Sequence, residues 1–423
     1  MVRKPWAITL LVIAVAVAAA VVIAVRVPDP GIAPALAQRH PDAAHGQYIA
    51  TLGDCAACHT KPGGKTLAGG LPLKTPLGTI YTTNITPDRD TGIGAYSFTD
   101  FARAVRLGVR PDGARLYPAM PYTAYAKMSD EDVQDLFAYL QKTIAPVSQT
   151  PPANTIAWPL NMRWPLAFWN VVFLDSSHFT PDPAKDAQWN RGAYIVEGLE
   201  HCGECHTPRG VAQNLDNGRK FSGAVLQGWK AYNITPSQQS GLGGWSDDAV
   251  ASYLGTGHAD GHSSASGPMA EAVDNSLRYA TADDIHAIVA YLRSVAPIDN
   301  APAIAQNPPA ANEASPPPGL GVQVFAGNCA NCHDWDGKGV QSPYATLLGS
   351  RTVNDPDATN LMAILLAGSN APLPVEHAFM PPFARGHSDD ELAAVANFVN
   401  GFFGNGTTKV TTADIDKARK ALP

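Results

Sequence analysis

The chain has 423 residues, of which 45% are hydrophobic and only 16% are charged, so it is long enough for several domains and can bury sizeable cores. Its formal net charge of -7 argues against nucleic-acid binding, because domains that bind nucleic acids carry a basic surface. The 36 prolines and 37 glycines indicate many turns and loops.

The first predicted element is an apolar stretch at residues 7–25, which follows Arg3 and Lys4. Its length is close to the roughly 20 residues that cross a bilayer. The basic residues before it predict a cytoplasmic N-terminus and an exported body. Two interpretations of residues 1–37 stay open: a retained transmembrane helix, which we favour because the apolar stretch is long, or a signal segment cleaved at an A-x-A-like site ending at Ala37.

All six cysteines form Cys-x-x-Cys pairs, and a histidine follows each pair directly. The three motifs are Cys55, Cys58 and His59; Cys202, Cys205 and His206; and Cys329, Cys332 and His333. A thioredoxin-like motif would need a βαβ pattern, which is missing from the sequence, and a structural zinc site would need four ligands. Cys-x-x-Cys-His as a whole is the attachment motif of c-type haem. The sequence therefore predicts three covalently bound haem c (heme c) groups, with the three histidines as iron ligands.

Each motif lies in a module with the same order of parts. A short helix leads into the motif, a loop-rich segment with a methionine follows, and a capped amphipathic helix closes the module. The leading helices are predicted at residues 44–52, 191–199 and 319–326. Each closing helix starts with a hydroxyl residue and has an acid three positions later, at Ser129, Thr281 and Ser388.

This repetition predicts an all-α fold of three tandem haem domains after the N-terminal segment. The predicted domains are residues 42–146, 189–297 and 317–405, with a tail at 406–423. An aromatic-rich linker at 147–188 contains Trp158, Trp164 and Trp169, and it either packs between modules or forms a docking surface for a subunit or the membrane interface. A linker at 298–316 is rich in proline and alanine, which predicts an extended connector.

The second axial ligand of each iron is predicted to be methionine, which closes the iron and leaves electron transfer. Met269 is the only methionine between the second and third motifs. Met120 is preferred to Met128, because Met128 directly precedes a helix cap and fits a hydrophobic staple. Met380 is preferred to Met362, which lies in an apolar stretch predicted to be a helix.

Bis-histidine ligation is a less favoured alternative, through His258, His262 or His377. The Asn-Ile-Thr-Pro runs at Asn84 and Asn233 predict a loop that walls one edge of a haem, which is a packing role. No catalytic residues are predicted, because the sequence shows no nucleophile, base and carboxylate pattern and no phosphate-binding loop. The main alternative to electron transfer is a multihaem, peroxidase-like enzyme with one open iron position.

The chain also resembles a known family. The residues that carry this resemblance are Gly53-Asp54-Cys55-Ala-Ala-Cys58-His59-Thr60, Gly69-Gly70-Leu71-Pro72, Tyr117-Pro118-Ala119-Met120-Pro121-Tyr122 and Cys202-Gly-Glu-Cys205-His206-Thr207-Pro208-Arg209. They resemble the three-haem cytochrome c subunits of membrane-bound periplasmic dehydrogenases, which serve alcohol, aldehyde, gluconate, sorbitol or fructose oxidation in acetic acid bacteria and related proteobacteria. The resemblance covers residues 42–405. It implies the ligand pairs His59 with Met120, His206 with Met269, and His333 with Met380.

The resemblance also implies partners and a location. A dehydrogenase catalytic subunit, in some cases with a small iron–sulfur or accessory subunit, would supply electrons, and ubiquinone would accept them at the periplasmic side of the cytoplasmic membrane. The catalytic subunit is either a molybdopterin aldehyde-type enzyme or a quinoprotein or flavin alcohol- or sugar-type enzyme. The runs at 232–236 and 266–271 are closer to the molybdenum group. An N-terminal anchor departs from family members that lose a signal peptide.

Overall fold

The computed structural model describes residues 5–299, 316–340, 342–371, 378–404, 406 and 408–422. The chain divides into two units, of which the first is Met1–Thr180 with Glu197–His201 and the second is Pro181–Val196 with Cys202–Pro423. The first haem-attachment motif lies in the first unit, and the second and third motifs share the second unit.

The first unit consists mainly of helices with one β-hairpin. Its described α-helices are α1 (Pro5–Val25), α2 (Ala43–Leu52), α3 (Cys55–His59), α4 (Phe98–Leu107), α5 (Tyr122–Tyr125), α6 (Asp130–Lys142) and α7 (Leu166–Phe173). A short 3-10 turn at Pro34–Gln38 precedes α2. The strands β1 (Pro72–Thr75) and β2 (Gly78–Tyr81) pair in antiparallel register, with Thr75 opposite Gly78.

The second unit holds the remaining described helices and three short hairpins. Its α-helices are α8 (Ala187–Tyr194), α9 (Gly203–His206), α10 (Asp247–Thr256), α11 (Pro268–Asn275), α12 (Ala282–Ser294), α13 (Leu320–Asn328), α14 (Ala330–His333), α15 (Arg351–Asn354), α16 (Thr359–Ala367), α17 (Asp389–Phe403) and α18 (Thr412–Ala421). The antiparallel strand pairs are β3 (Ala224–Leu226) with β4 (Trp229–Ala231), β5 (His258–Ala259) with β6 (Ser263–Ser264), and β7 (Ser369–Ala371) with β8 (Ala378–Met380).

The described residues are mostly helical, as the sequence predicts, but the hairpins depart from a purely all-α fold. The β1–β2 turn contains Gly78 at φ 130°, and the β3–β4 turn contains Gly228 at φ 82°. Glycine adopts positive φ without steric cost, so it permits these tight reversals. Strands of two to four residues are too short to show the alternation by which strands are found in a sequence.

The closing helices begin where the sequence places them. Ser129 accepts a hydrogen bond from the Asp132 N–H at 3.0 Å, and Thr281 accepts one from the Asp284 N–H at 3.1 Å. Ser388 forms a full capping box, because the Glu391 carboxylate also accepts from the Ser388 N–H at 2.8 Å. Each cap satisfies a backbone N–H that has no partner inside the helix.

Each leading helix packs on the closing helix of its own module through a glycine. These pairs are α2 with α6, α8 with α12, and α13 with α17. A Cβ atom on Gly46 would lie 1.9 Å from the Asp135 carbonyl oxygen, one on Gly192 would lie 1.9 Å from that of Ala287, and one on Gly321 would lie 2.3 Å from that of Ala394. No side chain fits in that space, so glycine is required for the close approach of the two helices.

Helix α1 covers the predicted apolar stretch. The residues after it are tied to the first unit, since Arg115 donates from Nη2 to the Arg26 carbonyl oxygen at 2.9 Å and Arg103 donates from Nε to the Pro28 carbonyl oxygen at 3.0 Å. A search of the described residues finds no helix with both the length and the hydropathy of a membrane span. The transmembrane helix is thus not shown and stays a prediction.

The aromatic-rich linker forms α7, which uses one face for packing within the first unit. Ala167 is buried, and Asn170 donates to the Leu107 carbonyl oxygen at 3.1 Å and accepts from the Tyr122 hydroxyl at 2.8 Å. Val171 and Val172 on the same helix are 67% and 70% exposed. The segment therefore combines a packed face with an exposed apolar face.

The segment predicted as a C-terminal tail contains a helix, α18, that packs on α16 and α17. Thr411 caps it with Asp414 in a capping box, Ile415 is fully buried, and Arg419 pairs with Asp389 at 2.5 Å. Residues 300–315 lie outside the described residues, so the extended form of the linker at 298–316 stays a prediction.

Candidate haem-binding sites

Each Cys-x-x-Cys-His motif includes one short helical turn, formed by α3, α9 and α14. Residues three and four positions apart lie on the same face of a helix, so this turn brings the first thiol of a motif near both the second thiol and the imidazole. The six motif cysteines do not form disulfides with one another. Each motif therefore presents two thiols and one imidazole together.

The histidine of each motif is oriented by a backbone carbonyl. The Nδ1–H groups of His59, His206 and His333 donate to the carbonyl oxygens of Thr83, Tyr232 and Ala345, each at 2.6 Å. A carbonyl only accepts hydrogen bonds, so the proton of the neutral ring is on Nδ1 and the lone pair is on Nε2. Burial also lowers the pKa of all three imidazoles, which favours this neutral form.

The main-chain carbonyl of each histidine is held by a glycine N–H. His59 accepts from Gly69 at 2.6 Å, His206 from Gly223 at 2.8 Å, and His333 from Gly339 at 3.1 Å. All three glycines have positive φ. A Cβ on Gly69 would lie 2.4 Å from the Thr83 carbonyl carbon, so glycine lets the loop that orients the histidine pass close behind it.

The second motif is preceded by one more residue than the first, counted from the crossing glycine to the first cysteine (Gly46 to Cys55 and Gly192 to Cys202). A π-helical turn at Ile195–Leu199 follows α8 directly. A π turn contains one residue more than an α turn, so it accommodates the extra residue without ending the helical path.

Asn84 and Asn233 form matching clasps in the first and second modules. Asn84 donates from Nδ2 to the Val147 carbonyl oxygen at 2.7 Å, and its Oδ1 accepts from the Thr86 N–H at 2.9 Å. Asn233 donates to the Ile298 carbonyl oxygen at 2.8 Å, and its Oδ1 accepts from the Thr235 N–H at 2.9 Å. Each clasp fixes the chain that follows the closing helix, which is a packing role, and the predicted wall along a haem edge stays a prediction.

The candidate methionine ligands occupy different local structures. Met120 lies in a turn, donating from its N–H to the Tyr117 carbonyl oxygen at 3.2 Å, and its side chain is half-buried. The competing Met128 is only 1% exposed, as expected for a core residue. Met269 lies in the first turn of α11 rather than in a loop, and Met380 ends β8. Met362 and Met380 are both half-buried beside the hydrophobic core of the third module.

The histidines considered as alternative ligands have other contacts. Both ring nitrogens of His258 lie within 2.9 Å of an oxygen, one of Ser264 and the other of Asp260. His262 stacks on Trp245 with a centroid separation of 4.3 Å. His377 lies outside the described residues. Within the described residues, no three His, Cys, Asp or Glu side chains come together as a metal site.

Comparison with known proteins extends these observations. A family model for cytochrome c matches residues 43–143 and 319–402. The chain is 42% identical over 396 residues to the gluconate 2-dehydrogenase cytochrome c subunit of Pantoea cypripedii, covering 89% of each chain. It is 42% identical over 396 residues to the cytochrome c subunit of the quinone alcohol dehydrogenase of Gluconacetobacter polyoxogenes, covering 88% of this chain and 83% of that one. It is also 40% identical over 360 residues to one of the subunits of the nicotinate dehydrogenase of Pseudomonas putida, covering 84% of this chain but 30% of that relative.

The motifs, the helical modules and these matches together define a cytochrome c. Within that class, the chain belongs to the family of cytochrome c subunits of dehydrogenases, and the resemblance found in the sequence is confirmed. Its cytochrome c domains imply covalently bound haem c. The family model covers the first and third motifs, so the count of three haems stays a prediction.

The residues of the motifs fit this cofactor. Thioether attachment requires cysteines that are not in disulfides, as here, and the Nε2 lone pair of each histidine is available for iron because Nδ1 is used by a carbonyl. Histidine ligands in metalloproteins are commonly oriented through the second ring nitrogen in this way. The same arrangement occurs at all three motifs, including the second, which the family model does not cover.

Two structural features of the sites are absent from the sequence predictions. The sequence contains a signal for the glycines at which the leading and closing helices cross, because Gly46, Gly192 and Gly321 each lie a similar distance before a motif. The sequence contains no signal for the burial of Arg351, because a single arginine between ordinary loop residues does not reveal which module it contacts.

Proposed function

We propose that the chain is a non-catalytic electron-transfer subunit that carries three haem c groups. The observation that carries this proposal is the repeated histidine geometry, in which Nδ1 donates to a backbone carbonyl at 2.6 Å in every motif. This hydrogen bond fixes the ring plane and leaves Nε2 as the ligand atom. Its recurrence after three separate cysteine pairs supports three equivalent haem sites.

The chain's residues have distinct roles in this proposal. The motif cysteines would form the thioether links, and the motif histidines together with Met120, Met269 and Met380 would hold the iron. Haem iron with two protein ligands supplies one-electron transfer when bound, and a methionine ligand raises its reduction potential. The backbone carbonyls behind the histidines hold the imidazoles in place.

The electron donor in this proposal is a dehydrogenase catalytic subunit, and the acceptor is membrane ubiquinone. The donor is supported by the relatives, which are named as parts of gluconate, alcohol and nicotinate dehydrogenases. Their identities of 42%, 42% and 40% do not separate the predicted partner types. The proposed donor is therefore a quinoprotein, flavin or molybdopterin subunit, with or without a small accessory subunit.

The proposed location is the periplasmic side of the cytoplasmic membrane, with α1 as the anchor. It is supported by the basic residues before the apolar stretch and by exposed apolar side chains on α1, such as Leu11 at 64% and Val15 at 60%. Membrane fractionation with N-terminal sequencing of the mature protein tests this. Recovery in the soluble periplasmic fraction with residues 1–37 removed would contradict the anchor and leave export intact.

Haem counting tests the proposed function directly. A pyridine haemochrome assay and intact-protein mass spectrometry should give three covalent haems per chain. The double variant Cys202→Ala with Cys205→Ala should lose one haem and keep the other two. Equal haem content in this variant and the unmodified chain would reject a haem at the second motif.

The ligands are tested on the same preparations. Met269→Leu should open one iron to carbon monoxide and lower its reduction potential, whereas Met128→Leu, a change at a core residue, should leave the carbon monoxide spectrum unchanged. A high-spin haem with peroxide turnover in the unmodified chain would instead favour the multihaem peroxidase alternative.

A further inference from the structure

In the second unit, one arginine of the third module is buried against the second module. Arg351, the first residue of α15, is 6% exposed. Its backbone N–H donates to the His262 carbonyl oxygen at 2.7 Å, and its Nη2 donates to the Ser240 carbonyl oxygen. Both acceptors belong to the second module, so Arg351 is bound to that module through its backbone and through its guanidinium.

Further contacts fix the two modules together at this place. The Lys230 N–H donates to Asn360 Oδ1 at 2.8 Å, and Asn360 Nδ2 donates back to the Lys230 carbonyl oxygen at 2.9 Å. Lys230 Nζ also pairs with Asp355 at 2.8 Å. These paired hydrogen bonds link β4 to α16 and hold the position of Arg351 relative to the second module.

Arg351 contacts the side chain of the residue whose backbone orients the histidine of the second motif. Its guanidinium carbon lies 4.7 Å from the centroid of the Tyr232 ring, within cation–π range. The carbonyl oxygen of the same tyrosine accepts the Nδ1–H of His206 at 2.6 Å. A positive charge therefore lies beside the residue that holds the proposed iron ligand.

This charge has no carboxylate partner in an ion pair among the described residues. Its side chain donates to backbone carbonyls, and its Nε has no hydrogen-bond partner. The nearby Asp355 carboxylate is buried but pairs with Lys230, which also contacts Asp357. A buried cation without a paired anion has a large electrostatic effect on its surroundings, because the protein interior screens charge weakly.

We propose that Arg351 of the third module raises the reduction potential of the haem in the second module. Reduction removes one positive charge from the iron, so a fixed cation nearby stabilises the reduced form relative to the oxidised form. This inference rests on the proposed function, since it requires a haem at His206. It assigns the third module an electrostatic role at its neighbour's haem in addition to its own electron transfer.

The test is a spectroelectrochemical titration of the full-length, haem-loaded protein and its Arg351→Gln variant. One of the three potentials should fall, with a change on the order of tenfold in the reduction equilibrium, or about 59 mV for one electron. A Met269→His variant identifies which potential belongs to the second haem, because bis-histidine ligation lowers that potential alone.

Two controls separate charge from packing. Arg351→Lys keeps the charge and should retain most of the potential, whereas a purely structural role would give the same fall as Arg351→Gln. Arg219→Gln removes a 53% exposed arginine of the second module and should leave all three potentials unchanged. If Arg351→Gln does not fold, Asp355→Asn provides the opposite change, since loss of a buried negative charge should raise the second potential.

Several outcomes overturn the inference. Unchanged potentials in Arg351→Gln, an equal fall in Arg351→Lys, a shift at another haem, or a lowered or unchanged potential in Asp355→Asn would each do so. These outcomes differ from failure of the proposed function. That failure would show as fewer than three haems in the unmodified protein, or as no haem at the second motif.

Discussion

The first two modules and the third orient their histidines with the same hydrogen bond but reach it through different loops. In the first and second modules, the acceptor carbonyl lies 24 and 26 residues after the histidine. In the third module it lies 12 residues after His333. The longer loops contain the hairpins β1–β2 and β3–β4, and the shorter loop contains a 3-10 turn at Pro343–Ala345.

The difference shows which parts of a module the site requires. Four features occur in all three modules. They are the helix crossing at a glycine, the helical turn of the motif, the backbone carbonyl that accepts from the histidine Nδ1–H, and the glycine N–H that donates to the histidine's own carbonyl. The hairpin before the carbonyl and the asparagine clasp occur in the first two. The features shared by all three position the imidazole, whereas the clasp secures the chain beyond the closing helix.

Breaking a shared feature should have the largest effect. Gly192→Ala would place a Cβ atom 1.9 Å from the Ala287 carbonyl oxygen, so α8 and α12 must move apart. We expect a loss of about 3 kcal/mol or more in the free energy of unfolding, measured with guanidinium chloride. Gly255→Ala is the matched control, because Gly255 lies in α10 with nothing within 4 Å of the added atom. The control should be neutral or stabilising by about 0.5–1 kcal/mol, and equal effects of the two changes would contradict the crossing argument.

Removing a clasp should have an intermediate effect on stability. It tests the feature that distinguishes the first two modules from the third. Asn84→Ala leaves the Val147 carbonyl oxygen without its donor at 2.7 Å and the Thr86 N–H without its acceptor. Because both groups are then buried without a hydrogen-bond partner, we expect a loss of about 1–3 kcal/mol in the free energy of unfolding.

Asn233→Ala should cost a similar amount in the second module. Asn217→Ala, at an exposed position of the same module, should change stability by less than about 0.5 kcal/mol. If Asn233→Ala left the free energy of unfolding unchanged while Asn84→Ala lowered it, the two clasps would not be equivalent.

The smallest expected effect is a pH dependence of the first module. Burial alone would raise the pKa of Asp135, but hydrogen bonds from Arg39 at 2.7 Å and from the Asp42 N–H at 2.7 Å outweigh it, and the pKa is lowered. A lowered folded-state pKa stabilises the fold fully above the unfolded value of about 3.9, and this stabilisation is lost as the pH falls through the folded value.

Unfolding measured between about pH 6 and pH 3 should therefore show the stability falling on the acid side. Asp135→Asn should be less stable at neutral pH and should show a shallower acid dependence. An unchanged acid slope in this variant would assign the loss to other carboxylates.

The sequence predicted local features well because they depend on neighbouring residues. The caps at Ser129, Thr281 and Ser388 were found from a hydroxyl and an acid three positions apart, and each forms the expected hydrogen bond. The same signature begins α18 at Thr411, in the segment predicted as a tail. Short hairpins gave no periodic signal, and Met269, which is predicted in a loop-rich segment, lies in the first turn of a helix.

By itself, the sequence determined the three Cys-x-x-Cys-His motifs, the family and the helices that open and close each module, since all of these are set by residues within a few positions of one another. The tertiary structure alone decided which carbonyl orients each histidine, where helices cross at glycine, and that Arg351 contacts the second module. Those contacts join residues far apart in the chain. Their partners are chosen by packing and by the need to satisfy buried polar groups, which no local pattern encodes.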